Sequence, residues 1–344
     1  MTHRFPLKEV ARQSGLSTAT VDRAVNNRAN VSPQTKARVA SAISELKGQE
    51  VQLAARGRRL FFDFVIEAPI RFSREVQHAA EQVLPHISSA VCRPRFFAQE
   101  IMKNDDITKT LARIAKRGSH GVCIKARDLP PVRAAVDQLI ASGIPVVTLV
   151  TDLTTTKRIA YVGLDNRSAG RTAAYLIAKT IGDVAGTVLT SRSNDQFLGE
   201  EEREDGFKST LNRLCPKLHI VNANGGSGVH FETLRIMQSV VEGLDQIRAV
   251  YSMGGGNRTI LDVLEQNGSL PNIYVAHDLD KDNRGIIEDG RISFILHHDL
   301  RVDLHNVFQA FLHHHKLTAD LPHATISNIQ VITPENIPSH SGRS

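Results

Sequence analysis

The chain has 344 residues, of which 41% are hydrophobic and 23% charged, and its formal net charge is +6. It is too long for one small domain, and its apolar residues suffice to bury a large core. The first twelve residues include four charged side chains, and no run of about 18 apolar residues occurs in the sequence. We therefore expect neither a signal peptide nor a membrane span, and we predict a cytoplasmic protein.

The basic excess lies in one short segment. Residues 1–60 contain 11 Lys or Arg and 4 acidic residues, whereas the rest of the chain contains 31 basic and 32 acidic residues. A local excess of this kind favours binding to a polyanion over a general surface bias.

The cysteines indicate no metal or redox chemistry. Cys92, Cys123 and Cys215 stand singly, without a CxxC pair. Their spacing argues against a zinc ribbon, a redox motif or a disulfide framework. They are predicted to be thiols of the core, and no cofactor or metal is expected.

Residues 7–26, LKEVARQSGLSTATVDRAVN, have the spacing of two short helices that cross and present the second helix to DNA. Gly15 can take the positive φ that a tight turn between the helices requires. The exposed face of the second helix is short and polar, with groups that reach phosphates and base edges in a major groove. The candidates for DNA contact are Ser17, Thr18, Thr20, Arg23 and Asn26. The same intervals occur in ordinary helical hairpins, so the pattern alone leaves that alternative open.

A third helix is predicted to begin at Pro33, with Ser32 as its N-cap, and to end near Leu46. It completes a three-helix helix-turn-helix headpiece over residues 1–47. Residues 48–60 are basic and weakly apolar, as expected of a hinge or linker that also contacts DNA.

Beyond residue 60, short apolar segments alternate with amphipathic helices. The segments are nearly continuous and rich in β-branched residues, as strands buried on both faces of a parallel sheet should be. They are FFDFVIEA (61–68), GVCIKA (121–126), IPVVTLV (144–150), GTVLTS (186–191), RAVYSM (248–253), NIYVAH (272–277) and RISFILH (291–297). The clearest helices span 130–142, 167–181, 200–214 and 257–267. Repeated strand–helix units predict doubly wound α/β sheets, with ligands at the carboxyl ends of the strands.

With both halves in view, the chain resembles the lactose/galactose-repressor family of bacterial transcription regulators from about residue 5 to about residue 332. The matching motifs are VARQSGLSTATVDRAVN, NVSPQTKARVASAISEL, GIPVVTLVTDL, YVGLDNRSAGRTAAYLI, EEREDGF, GGGNRTILDVL and VAHDLDKDN. The resemblance implies a DNA-binding headpiece joined to a two-lobed effector domain, similar to periplasmic sugar-binding proteins, over residues 61–340. It also implies a homodimer or a higher homo-oligomer on a pseudo-palindromic operator of double-stranded DNA.

The chain departs from the family pattern in two places. Family members usually have Ser at the position of Asp22, and the TVDR form resembles that of a subgroup. The usual Tyr-x-Pro-Asn before the hinge helix is replaced by Lys-Gly-Gln-Glu at 47–50. In the family a hinge leucine wedges into the minor groove, and Leu53 is the candidate here. Gly48 and Gly57 on either side disfavour a hinge helix, and packing of Leu53 at a dimer interface is the alternative.

The effector site is predicted from polar residues that follow strands or open helices. Hydroxylated ligands need carboxylates that accept hydroxyl protons, and Arg or Asn that donate hydrogen bonds, over an apolar floor. The candidates are Glu67, Phe72, Asp152, Arg203, Asn257, Asp278 and His298. By resemblance, Arg203 and Asp278 match the residues that grip sugar hydroxyls. The alternative for this pair is a salt bridge at a helix end or between lobes.

Catalytic and nucleotide-binding signals are absent from the sequence. Gly254–Gly256 lack the Lys-Ser/Thr of a phosphate-binding loop, and Val229 stands where a nucleophile elbow needs its last glycine. We therefore predict a ligand-responsive transcriptional regulator, most simply a repressor, that senses a small carbohydrate, polyol or related metabolite and is not an enzyme. The alternatives are a sugar-metabolising α/β enzyme with an accessory headpiece and an architectural DNA-binding protein without a ligand.

Overall fold

The structure is a computed structural model that describes residues 5–29, 31–55, 58–154, 157–244, 246–319 and 325–338, with the backbone alone over 48–55. The amino-terminal part has three helices, α1 (Leu7–Ser14), α2 (Thr18–Val25) and α3 (Pro33–Ala55). Gly15 ends α1 with a φ of 62°, as the tight turn requires. The predicted caps are present, because Ser17 Oγ accepts from Thr20 N and Ser32 Oγ accepts from Thr35 N, both at 3.1 Å.

The three helices share one small core. Val10, Val21, Val39, Ala42 and Leu46 are all buried in it. Each helix contributes an apolar stripe at helical spacing, and burying that stripe is what stabilises helices of only eight residues.

Helix α3 is longer than its predicted end near Leu46, since it continues to Ala55 through most of the predicted linker. Residues 49–55 are mostly good helix formers, and a single Gly48 costs about 1 kcal/mol in a helix interior without breaking it. Leu53 therefore lies in a helix, although its side chain lies outside the described part of the chain.

A parallel sheet and a mainly parallel sheet follow, each with helices on both faces. The first sheet contains β1 (Arg59–Glu67), β2 (Val91–Gln99), β3 (Gly121–Lys125), β4 (Val146–Leu149), β5 (Ala160–Leu164) and β11 (Ile326–Ser327). Its order is β2-β1-β3-β4-β5-β11, and the described pairs are parallel. The second contains β6 (Gly186–Ser191), β7 (Leu218–Asn222), β8 (Ile247–Ser252), β9 (Ile273–His277), β10 (Phe294–His297) and β12 (Gln330–Ile332). Its order is β7-β6-β8-β9-β10-β12, with β12 antiparallel to β10.

The helices divide between the two sheets and define two lobes. They are α4 (Ile70–Val83), α5 (Asn104–Arg117), α6 (Pro130–Ala141), α7 (Asn166–Ile181), α8 (Leu198–Leu214), α9 (His230–Val241), α10 (Asn257–Gln266), α11 (Lys281–Glu288) and α12 (Leu300–His314). In lobe 1, α4 and α12 cover one face of the first sheet, while α5 and α6 cover the other. In lobe 2, α7 and α8 cover one face of the second sheet, while α9, α10 and α11 cover the other. The chain passes between the lobes after β5, after β10 and after β11.

This architecture confirms the predicted fold class, including the position of every predicted strand. The sequence patterns missed β2, β5, β7, β11 and β12, because these strands are short, carry charged or polar residues, or contain Pro94. Strands β2 and β7 lie at sheet edges, where one side is unpaired and a continuous apolar run is not required.

The three cysteines are buried and free, as predicted for core thiols. Burial raises the pKa of the Cys92 thiol to about 12, so it remains protonated near neutral pH. Over the described ranges, no helix combines the length and the apolar character needed to cross a membrane.

Candidate functional site

The exposed face of α2 carries the predicted DNA-contacting residues. Ser17, Thr18, Arg23 and Asn26 are exposed, and Thr20 is half-buried. Ser17 Oγ lies 2.8 Å from Thr20 Oγ1, while Arg23 Nε donates to a backbone carbonyl one turn earlier at 3.2 Å. The arrangement keeps polar side chains outward from a helix whose other face is held in the headpiece core.

Asp22, one of the two departures from the family pattern, has its own partners on the same surface. Its carboxylate lies 3.0 Å from Arg28 Nη1 and accepts from Asn26 Nδ2 at 2.7 Å. The negative charge is therefore compensated within the headpiece. Asn26 is held by this contact, and Arg23 is an exposed cation on the polar face of α2.

A cleft of about 790 Å³, partly open to solvent, lies between the lobes at the carboxyl ends of the strands. The position agrees with the general rule for ligand sites in open α/β sheets. The lining residues of lobe 1 include Glu67, Arg71, Phe72, Lys125 and Val150, and those of lobe 2 include Ser193, Phe197, Glu200, Arg203, Ser227, His277, Asp278, Asp280 and Asn283.

Arg203 is held rigidly in the wall of the cleft. It is 4% exposed, and its Nε donates to Asn166 Oδ1 while its Nη1 donates to the carbonyl of Met253, both at 2.8 Å. Among the described residues, Nη2 has no hydrogen-bond acceptor. A fixed guanidinium with unused N–H groups is a preorganised donor for a ligand oxygen.

Asp278 follows β9 in the left-handed backbone region, with a φ of 62°. Its backbone N donates to the carbonyl of Leu296 at 3.0 Å, and its own carbonyl accepts from Asn283 Nδ2 at 2.7 Å. Burial alone would raise the pKa of the Asp278 carboxyl, but His298 and Arg203 hold it well below its usual range. The cleft therefore contains an ionised carboxylate on a strained, fixed backbone, as is common at functional sites.

His277, the last residue of β9, adds a neutral polar group. Its Nε2 lies 2.8 Å from the Tyr251 hydroxyl, whereas its buried Nδ1 has no partner among the described residues. Burial and the nearby Arg203 lower the pKa of His277 well below its usual range. His277 therefore lines the cleft as a neutral ring whose Nδ1 is buried.

Two aromatic rings from opposite lobes flank a lysine in the cleft. The Lys125 Nζ lies 4.3 Å from the ring centroid of Phe197 and 5.6 Å from that of Phe72. The same ammonium donates to the carbonyl of Glu67 at 3.1 Å. Burial lowers the pKa of Lys125, and the opposing charge of Glu200 limits the shift.

The two lobes are in direct contact across the mouth of the cleft. Arg71 in α4 places its Nε 2.8 Å from Asp280 Oδ2 and donates through Nη1 to the carbonyl of Gly228 at 3.3 Å. On the other side, Asp128 N donates to the carbonyl of Gln196 at 2.7 Å. Hydrogen bonds therefore join the two lobes directly.

Two family models match the chain, one in the headpiece and one in the two-lobed part. Residues 107–301, more than half of the chain, match the family model described as "Periplasmic binding protein domain". The chain belongs to this family. Residues 6–47 match the model described as "Bacterial regulatory proteins, lacI family". The two matches together show a LacI-family DNA-binding transcriptional regulator with a periplasmic binding protein domain.

Relatives of this LacI-family regulator share its fold at low identity. The ribose import binding protein RbsB of Escherichia coli is 23% identical over 197 residues, which are 57% of this chain and 63% of RbsB. GanP, a glucose-galactose binding protein from Geobacillus stearothermophilus, superposes with a TM-score of 0.71 at 18% identity over 82% of this chain and 99% of GanP. A transporter solute-binding protein from Agrobacterium vitis with bound D-fucose superposes with a TM-score of 0.70 at 16% identity. The superposition covers 81% of this chain and 97% of the Agrobacterium vitis protein.

Four of the seven predicted effector residues line the cleft of the regulator, namely Glu67, Phe72, Arg203 and Asp278. Among these four, Glu67 has partners within lobe 1, because its Oε1 lies 2.9 Å from Arg127 Nε and accepts from Met102 N at 2.9 Å. Phe72, Arg203 and Asp278 present surface to the cleft.

The other three predicted residues lie behind the cleft wall and bind protein groups. Asp152 accepts from Thr148 Oγ1 at 2.7 Å and from Arg158 Nε at 2.6 Å. Asn257 donates to Asn283 Oδ1 at 2.7 Å and so supports a cleft residue indirectly. His298 is 0% exposed. These three residues, which were predicted as effector contacts from a position after a strand for Asp152 and His298 and at the start of a helix for Asn257, are not among the residues that line the cleft.

Several cleft residues were missed by the sequence patterns, chiefly Arg71, Lys125, Glu200, His277 and Asp280. Lys125 and His277 are the last residues of β3 and β9, and were included in predicted strands. A polar residue at the carboxyl end of an otherwise apolar strand is the signal that could have identified both.

Proposed function

We propose that the regulator binds a small, neutral carbohydrate or polyol in the cleft between the lobes. The observation that carries the proposal is that the Arg203 guanidinium, the Asp278 carboxylate and the neutral His277 ring line one cleft together with the rings of Phe72 and Phe197. Donors, acceptors and apolar faces in one cleft match the hydroxyls and C–H faces of a sugar.

The charges of the cleft favour a neutral effector. Arg71 pairs with Asp280, Lys125 faces Glu200, and Arg203 faces Asp278. No cation among the described lining residues lacks an acidic neighbour. A phosphate would place additional negative charge beside these carboxylates in a desolvated site, which is unfavourable.

The relatives support this class of ligand. RbsB is named for ribose, GanP for glucose and galactose, and the Agrobacterium vitis protein holds D-fucose. The chain spans 63% of the length of RbsB and is 23% identical over that part. The relatives therefore suggest which sugars to test first.

Calorimetric titration of the full chain tests the ligand class. We expect at least one of D-ribose, D-galactose, D-glucose and D-fucose to bind, and the matching sugar phosphate to bind at least about tenfold more weakly, equal to about 1.4 kcal/mol. The bound ligand should be recovered unchanged, because binding and not catalysis is proposed. Tighter binding of a sugar phosphate, or binding of a nucleobase or an amino acid instead, would contradict the proposal.

For the headpiece, we propose that α2 enters the major groove of a pseudo-palindromic operator and that two copies of the chain supply two headpieces. One headpiece offers few contacts, so a two-fold site requires a homodimer for useful affinity. The proposed units are a headpiece over 1–47, a linker over 48–60 and an effector domain over 61–340. Effector binding would shift the lobe arrangement and with it the spacing of the headpieces. The cytoplasm, where the operator lies, is the proposed location.

Arg23→Ala tests base readout. If the Arg23 guanidinium binds guanine, the variant should lose about 1–3 kcal/mol of operator affinity and become tolerant of substitution at one base pair in each half-site. Arg23→Lys is the matched control, because it keeps the charge but not the fork of donors and should lose discrimination as well. Footprinting of operator variants measures the effect, and equal discrimination by all three proteins would exclude base readout by Arg23.

A further inference from the structure

A buried row of polar side chains begins beneath Asp278. His298 Nε2 lies 3.4 Å from Asp278 Oδ1, and His298 Nδ1 is bonded to Asp303 Oδ2 on its other side. The second oxygen of Asp303 accepts from Ser327 Oγ. His298 and Asp303 are both 0% exposed.

The row crosses from one lobe to the other. Asp278 follows β9 in lobe 2, and His298 lies in the segment that leads from β10 to α12. Asp303 belongs to α12, whose apolar residues are part of the lobe 1 core, and Ser327 belongs to β11 of the lobe 1 sheet. The row therefore uses two of the three connections between the lobes and links a cleft carboxylate to lobe 1.

One imidazolium lies between the two carboxylates of this row. Burial opposes the charge, but Asp303 and Asp278 together raise the pKa of His298 to about 10. The other titratable neighbours add no positive charge to Asp303, since burial lowers the pKa of His277 and of His297 and raises that of the Cys123 thiol, which lies near Asp303. Removing the imidazolium would leave the buried Asp303 carboxylate without that positive partner, which is strongly unfavourable.

The two links of the row differ. The bond from His298 to Asp303 is short, whereas the contact of His298 with Asp278 is longer than a normal N–H···O bond. Nε2 is buried without a hydrogen-bond partner in the described structure. The longer of the two contacts is thus the one at the cleft, between His298 and Asp278. The length of this contact depends on the position of the Asp278 carboxylate.

We infer that His298 is a positioning residue that couples the Asp278 carboxylate to lobe 1, so that engagement of Asp278 biases the orientation of the lobes. The inference rests on the proposed function, in which Asp278 contacts the effector. A hydroxyl that donates to Asp278 competes with His298 for the carboxylate, and the change reaches α12 through Asp303.

The coupling has a pH signature with a defined sign. Because the pKa of His298 is raised from 6.5 in the unfolded chain to about 10 in the folded chain, its charge stabilises the fold fully below pH 6.5. That contribution is lost as the pH rises through about 10. His298→Gln lacks the charge at every pH, so its deficit in Tm relative to wild type should be large near pH 6.5 and shrink toward pH 10.5.

Thermal unfolding of the full chain without any ligand measures this signature. His297→Gln is the matched control, because burial holds the pKa of that neighbour at about 4 and its deficit should stay constant over the same range. Asp303→Asn provides a second variant, in which His298 should titrate nearer to neutral pH, as followed by ¹³Cε1-histidine NMR. A pH-independent deficit of His298→Gln, or unchanged titration of His298 in Asp303→Asn, would overturn the inference.

Lobe orientation is measured with spin labels in the same ligand-free protein. Ala112 in α5 and Gln238 in α9 are exposed positions on lobe 1 and lobe 2, and the native cysteines are buried. After dilution with unlabelled protein, the distance distribution between labels at these positions should broaden in His298→Gln and not in His297→Gln. Identical distributions in both would overturn the inference. Since no sugar is present, a failed sugar titration would bear on the proposed function alone.

Discussion

Asp278→Asn is expected to bind the effector roughly ten- to a hundredfold more weakly than wild type. A hydrogen bond to a charged group contributes about 1.5–3 kcal/mol, and the substitution removes the ionised acceptor without changing the side-chain size. Arg203→Lys should weaken binding similarly, because a lysine keeps the charge but cannot hold Asn166 and the Met253 carbonyl while donating to the ligand. Calorimetry with the sugar that binds the wild type measures both losses.

Both variants should lose most of the effector response, and Arg203→Lys, which leaves the contact of Asp278 with His298 in place, should keep its ligand-free operator affinity. Linkage requires the effect of ligand on DNA binding to equal that of DNA on ligand binding. Asp282→Asn is the matched control, since this exposed residue of α11 does not line the cleft and should behave as wild type. Wild-type effector affinity in both Asp278→Asn and Arg203→Lys would place the effector elsewhere.

Gly170→Ala is expected to destabilise the fold by about 3 kcal/mol, at the upper end of the range for overpacking. A Cβ on Gly170 in α7 would lie 1.9 Å from the backbone carbonyl oxygen of Arg203 in α8. Backbone atoms of a packed helix cannot turn aside as the end of a flexible side chain can. The two helices must therefore separate, and Arg203, which lines the cleft from α8, must move with them.

Urea unfolding of the full chain measures this loss, and Gly285→Ala is the matched control. Gly285 lies within α11, and a Cβ there would meet nothing within 4 Å. That substitution should leave stability unchanged or raise it by about 0.5–1 kcal/mol, because alanine loses less conformational freedom in a helix. Equal stability of Gly170→Ala and wild type would show that α7 and α8 are not packed as closely as the structure has them.

Part of the candidate site was accessible from the sequence. Arg203 and Asp278 were predicted from a family resemblance and from their positions at a helix start and after a strand, and both line the cleft. Asp152 and His298 meet the same positional rule, yet each is bound to protein groups. The rule places a residue at the correct edge of a sheet but does not give its side-chain partners, which come from distant segments.

The linker shows a similar limit. Its composition predicted a break after Leu46, whereas α3 continues to Ala55. A single glycine disfavours a helix by about 1 kcal/mol relative to alanine, and neighbouring residues that favour the helix offset this cost. The end of a helix that depends on so small a difference in free energy cannot be predicted from the residue pattern alone.

The sequence by itself determined the headpiece and the α/β class, because helical spacing, capping residues and apolar strands are local and repeat along the chain. Only the tertiary structure decided which polar residues line the cleft. Lys125 and His277 face it from strand ends, while His298 is enclosed between Asp278 and Asp303, which reach it from different elements. The physical reason is that a buried charge is stabilised by its nearest partner, and that partner is set by packing between segments far apart in the chain.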